Sequence, residues 1–297
     1  IPFPNENETI LVEQPTYHLY IEYLKINKVP VIGIQRTSEG IDLNELERIF
    51  RTGKIKFFYT IPRYHHPLGT SYSKGEKEKI VLLAKKYNVF IVEDDYLADL
   101  ETDSKADPLY SLDHSNHVIY LKSYSKIIFP GLRVGVAVIP TAISSAFHTY
   151  KKILDIDSPM ISQAALEIYI KSGMFERHKN KMKSSYNNRS KKLAEALERM
   201  HSENPLLFTY KKQNTIGIHT CLEVHKTSIS DMLIQRLSEI QIRIDSIDKN
   251  YVRGFPKQRL LKLNVSNVKE DRIEEGIRKV VEEIKQVERL NFQFEKE

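Results

Sequence analysis

The strongest constraint on the fold is a repeated alternation, in the first half of the chain, of short apolar runs with amphipathic stretches. Six apolar runs predict β-strands, at residues 9–12, 29–34, 55–59, 89–92, 117–121 and 133–139. Helical patterns lie between several of them, at residues 17–27, 43–51 and 74–87. Repeated strand–helix–strand units with nearly continuous apolar strands predict a mostly parallel sheet covered on both faces. Ligands of such sheets bind at the carboxyl ends of the strands.

The pattern changes after residue 158. Residues 160–171 and 174–201 predict two helices with no strand between them, and we expect His178 on the exposed face of the second one. A mixed segment follows, with the strand-like runs "IGIHTCLEV" and "RLLKLNVS", a helix near 229–240 and a closing amphipathic helix at 271–288. We therefore predict an α/β large domain at residues 1–155, connecting helices at 156–200 and a smaller α+β C-terminal domain at 201–297.

Composition excludes several classes of protein. The chain has 297 residues, of which 41% are hydrophobic and 28% charged, and a formal net charge of +6. Its lysines and arginines are dispersed, so this charge does not predict a nucleic-acid-binding surface. The single cysteine, Cys221, excludes a disulfide framework and fits a reducing compartment. No apolar run approaches the roughly 18 residues that span a bilayer, so we expect a soluble, cytoplasmic protein.

Four short polar stretches each follow a predicted strand, and they read "EQPTYHLY", "TIPRYHHPLG", "VEDDYLADL" and "SYSKIIFPGLR". Taken singly, each has an ordinary explanation, such as carboxylates that cap a helix or a turn set by Pro67 and Gly69. The adjacent His65 and His66 invite a zinc hypothesis, but no third ligand stands at a suitable spacing, so we predict no metal site. Because each stretch follows its own strand, the four together are a more specific signal than any one alone.

Together, these residue types meet the requirements of one cofactor. A lysine forms a Schiff base with an aldehyde, and partial desolvation makes its amine more nucleophilic. A buried carboxylate keeps a pyridine nitrogen protonated, and an aromatic side chain stacks on a flat heterocycle. Hydroxyl groups and an arginine bind a phosphate monoester. Pyridoxal 5′-phosphate (PLP) makes this combination of demands on a protein.

The chain resembles the fold-type I aminotransferase superfamily of PLP proteins, from the middle of the large domain to the C-terminus. The resemblance places Lys126 of "SYSK" at the Schiff-base position, Asp94 of "EDDY" against the pyridine nitrogen and Tyr17 of "PTY" on the ring face. It also implies that Tyr96 reaches the phenolic oxygen of the ring. The phosphate-binding positions that it implies are Ser123, Ser125 and Arg133.

His66 and two motifs indicate a subgroup of this superfamily. Where aminotransferases usually carry an asparagine that helps to hold the phenolic oxygen, this chain has His66. The motifs "EDDY" and "SYSKIIFPGLRVG" resemble the MocR/GabR regulators. In those proteins an aminotransferase-like domain follows an N-terminal winged helix-turn-helix domain that binds DNA.

This resemblance implies a PLP-binding, effector-sensing and homodimerising domain of a transcription regulator. An amino compound such as D-alanine, D-alanyl-D-alanine or γ-aminobutyrate would replace Lys126 in the Schiff base. DNA would be bound through a domain upstream of Ile1, and because the chain starts late in the pattern of the superfamily, we expect it to be a fragment. Two alternatives stay open, a PLP-dependent aminotransferase acting on an amino acid and a cofactor-free dimerisation module.

The residue that binds the carboxylate of the ligand is a separate question. The superfamily uses an arginine in an "L-R-L" strand, and the equivalent position here is Lys262 in "LLKLNV", with Arg259 close by. A lysine cannot grip a carboxylate with the two-pronged geometry of a guanidinium. The resemblance therefore implies Lys262 or Arg259 as the partner of the carboxylate, while the alternative is that Lys262 only ends a half-exposed strand.

Overall fold

Strands and helices alternate through the first half of the chain, as the apolar pattern predicts. The computed structural model describes residues 8–101, 106–156, 159–211, 219–225, 231–244 and 247–294. The strands are β1 (Thr9–Gln14), β2 (Val31–Thr37), β3 (Gly40–Ile41), β4 (Ile55–Thr60), β5 (Phe90–Asp94), β6 (Val118–Ser123), β7 (Gly135–Val138), β8 (Phe208–Tyr210), β9 (His219–Val224) and β10 (Leu260–Asn264). The helices are α1 (His18–Ile26), α2 (Leu43–Arg51), α3 (Lys74–Tyr87), α4 (Leu109–Leu112), α5 (Thr141–Leu154), α6 (Met160–Lys171), α7 (Met174–Glu203), α8 (Asp231–Glu239) and α9 (Ile273–Phe294).

Seven strands form one sheet in the order β3-β2-β1-β4-β5-β6-β7. The five central strands are parallel to one another, whereas β3 and β7 pair antiparallel at the two edges. This arrangement confirms the predicted α/β class with a mostly parallel sheet. Because parallel strands all end on the same side, the segments after β1, β4, β5 and β6 converge there.

The central strands are buried on both faces because successive side chains point in opposite directions. On β4, Phe58 packs in a cluster with Phe50 of α2 and Ile80 of α3. Its neighbour Tyr59 packs on the other face of the sheet, in a cluster with Leu24 of α1. Apolar residues are therefore needed at consecutive positions, which explains the continuous apolar runs in the sequence.

Local capping explains why α2 begins, and why α3 begins and ends, where the sequence predicts. Asp42 accepts hydrogen bonds at 2.8 and 3.2 Å from two backbone N–H groups in the first turn of α2. Ser73 and Glu76 form a reciprocal capping box at the start of α3, and Asn88 follows that helix in the left-handed conformation. These residues satisfy backbone groups that the terminal turns leave unpaired.

A second, three-stranded antiparallel sheet lies in the C-terminal part, in the order β10-β9-β8. Its strands pack with α7, α8 and α9 around a separate apolar core that includes Leu197, Leu222 and Ile284. The 30-residue helix α7 contributes its C-terminal half to this core. In its first half, Phe175 and Tyr186 pack with residues that follow β4, β5 and β6. The helix α7 therefore packs in the C-terminal core and also against residues that follow strands of the large sheet. The predicted domain boundaries stay a prediction.

Parts of the fold differ from the predicted pattern. The strands β3 and β8 are two and three residues long, too short to give a periodic signal. β7 runs antiparallel to β6 because a short connection, rather than a helical crossover, joins them. Residues 216–218 of a predicted strand and 229–230 of a predicted helix lie outside the described residues. Among the residues that are described, no helix is long and apolar enough to cross a membrane.

Candidate cofactor-binding site

The three acids of "EDDY" point in different directions because they lie at the end of a β-strand. Glu93 accepts two backbone N–H hydrogen bonds at 2.8 Å, and Asp95 forms a buried ion pair with Arg63. Asp94 lies on the opposite face and accepts a hydrogen bond from the hydroxyl group of Tyr59 at 2.6 Å. Asp94 therefore faces away from the buried hydrogen bonds of Glu93 and the buried ion pair of Asp95.

The electrostatics of Asp94 link it to two tyrosines. Burial raises the pKa of Asp94 to about 6, and the hydrogen bond from Tyr59 only partly opposes this effect. Burial also raises the pKa values of Tyr17 and Tyr96, and the charge of Asp94 raises both further. The Tyr96 hydroxyl donates to the backbone carbonyl of Tyr64 at 2.9 Å. The structure thus brings Asp94, Tyr17 and Tyr96 together, with the Tyr96 hydroxyl already engaged.

The turn after β4 is fixed by a buried network centred on Glu13 of β1. Its carboxylate accepts a backbone N–H of the turn at 2.8 Å and contacts Arg36 at 3.3 Å and His65 at 3.4 Å. It also accepts a hydrogen bond from the hydroxyl group of Tyr72. Burial raises the pKa of Glu13, but His65, Arg36 and these hydrogen bonds outweigh burial and set it at about 2. The network therefore holds an ionised carboxylate under the turn that carries His66.

Within this turn, His66 makes ring contacts with Tyr17 and His219. Its ring centroid lies 5.5 Å from that of Tyr17 and 4.9 Å from that of His219, edge-on in both cases. Burial, followed by the charges of His219 and Lys262, lowers the pKa of His66 to about 2. Within the described residues, the buried Nδ1 of His66 has no hydrogen-bond partner. Such an atom is uncommon and marks a position where a ligand atom can bind.

Lys126 lies in the loop after β6 and is exposed, so the expected partial desolvation of its amine is not present in the single chain. The next residue, Ile127, is buried, and its carbonyl accepts a hydrogen bond from Nε2 of His178 at 2.7 Å. The expectation that His178 lies on an exposed face of its helix is therefore wrong. Burial lowers the pKa of His219, and the charge of Lys126 adds to this effect, so the two residues interact electrostatically.

The predicted phosphate-binding residues lie at the end of the β6–β7 hairpin. Ser123 pairs with Gly135, so the antiparallel register continues towards Ser125 on one side and Arg133 on the other. The backbone N–H of Ser125 donates to the Ser123 hydroxyl at 3.2 Å. Arg133 is exposed and has a left-handed backbone, with a φ of 53°. Hydroxyl, N–H and guanidinium groups are thus concentrated in the loop that carries Lys126.

Lys262 lies close to the histidines, whereas Arg259 does not. Lys262 of β10 pairs across the strands with Cys221 of β9, two residues from His219. After burial, its charge is one of the causes that lower the pKa values of His66 and His219. Arg259 is exposed and donates to the carbonyl of His225 at 3.5 Å. His225 lies just beyond β9, about 20 Å along an extended strand from His219. Of the two predicted partners of a ligand carboxylate, the structure brings only Lys262 to the site.

Sequence reasoning missed two residues of the site, His219 and Tyr59. The one signal for His219 is a single histidine within the apolar run "IGIHTCLEV". No spacing rule connects this strand with the turn at His66, because the contact joins distant parts of the chain. Tyr59 reads as one more apolar residue of a buried strand, although its hydroxyl group binds Asp94. Both contacts depend on tertiary structure.

The sequence matches a known family over most of its length. Residues 3–280 fit the family described as aminotransferase class I and II. The chain belongs to this family. This aminotransferase-family chain is 50% identical over 278 residues to an uncharacterized HTH-type transcriptional regulator, YcxD of Bacillus subtilis. That match covers 94% of the chain and 63% of YcxD, so the chain spans less than two thirds of the length of this relative.

Two solved structures of aminotransferases have the same fold. Kynurenine aminotransferase of Pyrococcus horikoshii, in complex with PMP, is 26% identical with a TM-score of 0.86, over 96% of this chain and 70% of that one. The α-aminoadipate aminotransferase LysN of Thermus thermophilus, complexed with N-(5′-phosphopyridoxyl)-L-leucine, is 24% identical with a TM-score of 0.88, over 97% and 74%. Both likenesses confirm the predicted fold-type I architecture of the aminotransferase family.

The residues of the site fit PLP, the cofactor that this family implies. Asp94 offers a carboxylate for a ring nitrogen, the partnerless Nδ1 of His66 suits a phenolic oxygen and Lys126 offers an amine for an aldehyde. The end of the β6–β7 hairpin offers hydroxyl and guanidinium groups for a phosphate. Each functional group of the cofactor therefore has a chemically matched residue in this chain.

Proposed function

We propose that this chain is the PLP-binding, effector-sensing and dimerising domain of a MocR/GabR-type transcription regulator. Its ligand is a small amino compound, such as D-alanine, D-alanyl-D-alanine or γ-aminobutyrate. The observation that carries the proposal is the 50% identity, over 94% of the chain, to a protein named as an HTH-type regulator. DNA is bound by a winged helix-turn-helix domain outside this sequence.

Each residue of the site has a task in this proposal. Bound PLP supplies an aldehyde that condenses with amines. Lys126 holds this aldehyde through Nζ, and the exposure of its side chain leaves the nitrogen open to exchange with an incoming amine. Asp94, with a pKa of about 6, is mostly ionised at neutral pH and accepts a hydrogen bond from the protonated ring nitrogen. Tyr17 packs on the ring face.

Two substitutions favour sensing over turnover. His66 stands where aminotransferases usually carry an asparagine, and burial keeps this imidazole neutral at physiological pH. Lys262 stands where they carry the arginine that grips the substrate carboxylate with two prongs. Both changes leave groups that bind a ligand but weaken the positioning that catalysis requires.

A sensor also needs two arrangements that bind the ligand with unequal affinity. The C-terminal sheet contacts the cofactor side of the large sheet through β9. The ring of His219 lies 4.9 Å from that of His66, and Sγ of Cys221 contacts the carbonyl of Pro67 at 3.4 Å. A ligand that changes these contacts would shift one sheet against the other.

A homodimer is part of the proposal, and the surface formed by α5, α6 and the described residue Ile156 between them supports it. None of the 14 residues of α5 is buried, and in α6 only Leu166 is. Five apolar side chains on this α5–α6 surface are between 73% and 87% exposed, namely Ile153, Leu154, Ile156, Met160 and Ile161. Contiguous exposed apolar residues of this kind are typical of a protein–protein interface.

The full-length protein supplied with PLP tests the proposal. We expect a visible absorption band of lysine-linked PLP that Lys126→Ala abolishes and that Lys85→Ala, a change at an exposed lysine of α3, leaves intact. An amino compound from the proposed group should shift this band and change the affinity for promoter DNA, measured by fluorescence anisotropy. Absence of the band in the unmodified protein would contradict the cofactor, and an unchanged DNA affinity with every compound would contradict sensing.

The second candidate is a PLP-dependent aminotransferase, which the likeness to solved aminotransferases favours. In that case Lys126 also acts as a general base. Steady-state assays of common amino acids with an oxo acid separate the two candidates. Sustained turnover by the full-length protein would support the enzyme, whereas a band shift without turnover supports the sensor.

A further inference from the structure

A strand of the C-terminal sheet contributes a buried histidine to the site. His219, the first residue of β9, is 3% exposed, and its ring centroid lies 4.9 Å from that of His66 and 6.5 Å from that of Tyr96. Two residues further on, Cys221 contacts the turn that carries His66. Residues two apart lie on the same face of a strand, so this face of β9 lies against the cofactor site. The family motifs in the sequence assign no role to His219.

The charges that act on His219 from the described residues are positive. Its pKa is lowered to about 3, first by burial and then by Lys262, Lys126 and His65 in that order. For His66, burial is likewise the largest cause, and neighbouring imidazole and ammonium groups add in the same direction. Both imidazoles are therefore neutral at physiological pH, and a neutral imidazole carries one N–H donor.

Neutral imidazole donors beside Lys262 complement a bound anion. The N–H groups can donate hydrogen bonds to its oxygens, and the ammonium group of Lys262 balances its charge. Two chemical groups of this class can enter the cleft, the phosphate of the cofactor and a carboxylate of the ligand. Because the end of the β6–β7 hairpin already has the groups that suit the phosphate, the position beside Lys262 is left for the carboxylate.

We propose that His219 and Lys262 together bind the carboxylate of the amino compound. Lys262 supplies the charge and His219 supplies a directed N–H donor, so that the pair replaces the two prongs of a guanidinium. The inference rests on the proposed function, because it places the ligand in the cofactor cleft.

The test uses the full-length, PLP-loaded protein and two pairs of compounds. Alanine is compared with ethylamine, and γ-aminobutyrate with propylamine, so that each pair differs by a carboxylate. We expect the protein to prefer at least one carboxylate compound over its amine, as measured from the visible band. The substitution His219→Leu should weaken binding of that compound about tenfold or more and leave the matching amine unchanged.

Two control variants make this test specific. His219→Asn retains an N–H donor and should restore part of the lost affinity. His225→Leu changes an exposed histidine just beyond the same strand and should have no effect.

Several results would overturn the inference. One is equal affinity of the unmodified protein for carboxylate compounds and amines, and another is an equal loss for both with His219→Leu. A loss of PLP affinity in that variant would assign the anion site to the phosphate of the cofactor instead. If the proposed function itself fails, the PLP band is absent, and calorimetric titration with acetate then decides whether His219 binds a carboxylate.

Discussion

Three acids near the site have different pKa values although burial raises the pKa of each. Glu13, Glu93 and Asp94 have pKa values of about 2, about 7 and about 6. Burial raises the pKa of each, and the difference lies in what opposes it: a guanidinium and an imidazole at Glu13, two backbone N–H groups at Glu93 and one tyrosine at Asp94. Asp94 is thus left with the fewest partners, which suits an acid that binds a ligand.

The pKa of Asp94 predicts how cofactor affinity depends on pH. Because burial raises this pKa to about 6, the ionised form that pairs with a protonated ring nitrogen becomes populated as the pH rises through 6. We expect PLP affinity, measured by equilibrium dialysis, to increase between pH 5 and pH 7. Asp94→Asn should bind PLP at least tenfold more weakly and lack this increase.

A matched control for this prediction is Asp107→Asn, which changes an exposed acid. It should leave both the affinity and its pH dependence unchanged. In the cofactor-free protein the raised pKa has the opposite consequence for stability. The contribution of Asp94 favours the folded state below pH 4 and is lost as the pH rises through 6. A pH-independent PLP affinity in the unmodified protein would contradict the role of Asp94.

At the scale of elements, the sequence predicts what local interactions determine. The bounds of α2, α3 and α6 agree with the predicted ones, because their apolar periodicity and, in α2 and α3, the side-chain caps act within one or two turns. The two-residue strand β3 gave no signal because its pairing with β2 requires the neighbour to be in place. The apolar pattern therefore predicts these helices better than it predicts very short strands such as β3.

In the site, too, local sequence patterns reveal some residues, whereas others depend on tertiary contacts. The stretches that carry Lys126, Asp94, Tyr17 and His66 could be found because each lies at the end of a parallel strand, and parallel strands bring such ends together. The roles of these residues came from the resemblance to the superfamily. His219 enters from an antiparallel sheet that belongs to a different part of the chain, and no local pattern reports that contact. The exposure of Arg259 could not be predicted either, since it depends on which end of β10 faces the cleft.

Helix α7 carries a testable positioning residue. The hydrogen bond of 2.7 Å from His178 to the Ile127 carbonyl fixes the residue next to Lys126. We expect His178→Leu to weaken PLP binding about three- to tenfold and to shift the visible band, while the urea midpoint changes little because one hydrogen bond is worth about 1 kcal/mol. His178→Gln, which keeps a donor, should restore binding in part.

Lys181→Leu serves as the control on α7, because this lysine is exposed on the same helix. It should leave both the band and the affinity unchanged. An unaltered band and unaltered PLP affinity in His178→Leu would show that the loop holds Lys126 without this contact.

At the scale of the whole molecule, the α5–α6 surface predicts the oligomeric state. Ile153 and Leu154 are 73% and 80% exposed at the end of a helix that buries none of its residues. We expect the full-length protein to sediment as a dimer at micromolar concentration. The double change Ile153→Glu and Leu154→Glu should produce a monomer, because charges in an apolar interface lose hydration without gaining partners.

The control for this experiment is Leu206→Glu, at an apolar residue that is 74% exposed in another part of the chain. This variant should remain dimeric. A monomeric unmodified protein, or a dimer that survives the double change, would contradict a role of the α5–α6 surface in assembly.

The length of α7 has a mechanical consequence. Its 30 residues make a rod of about 45 Å, stiff enough to move as one body. One end contacts the loop that carries Lys126, and the other packs with the C-terminal strands, among them the strand that begins at His219. A displacement of one end would therefore be transmitted along the helix to the other. Under the proposed function, release of Lys126 and binding of a carboxylate beside His219 would act on opposite ends of the same helix.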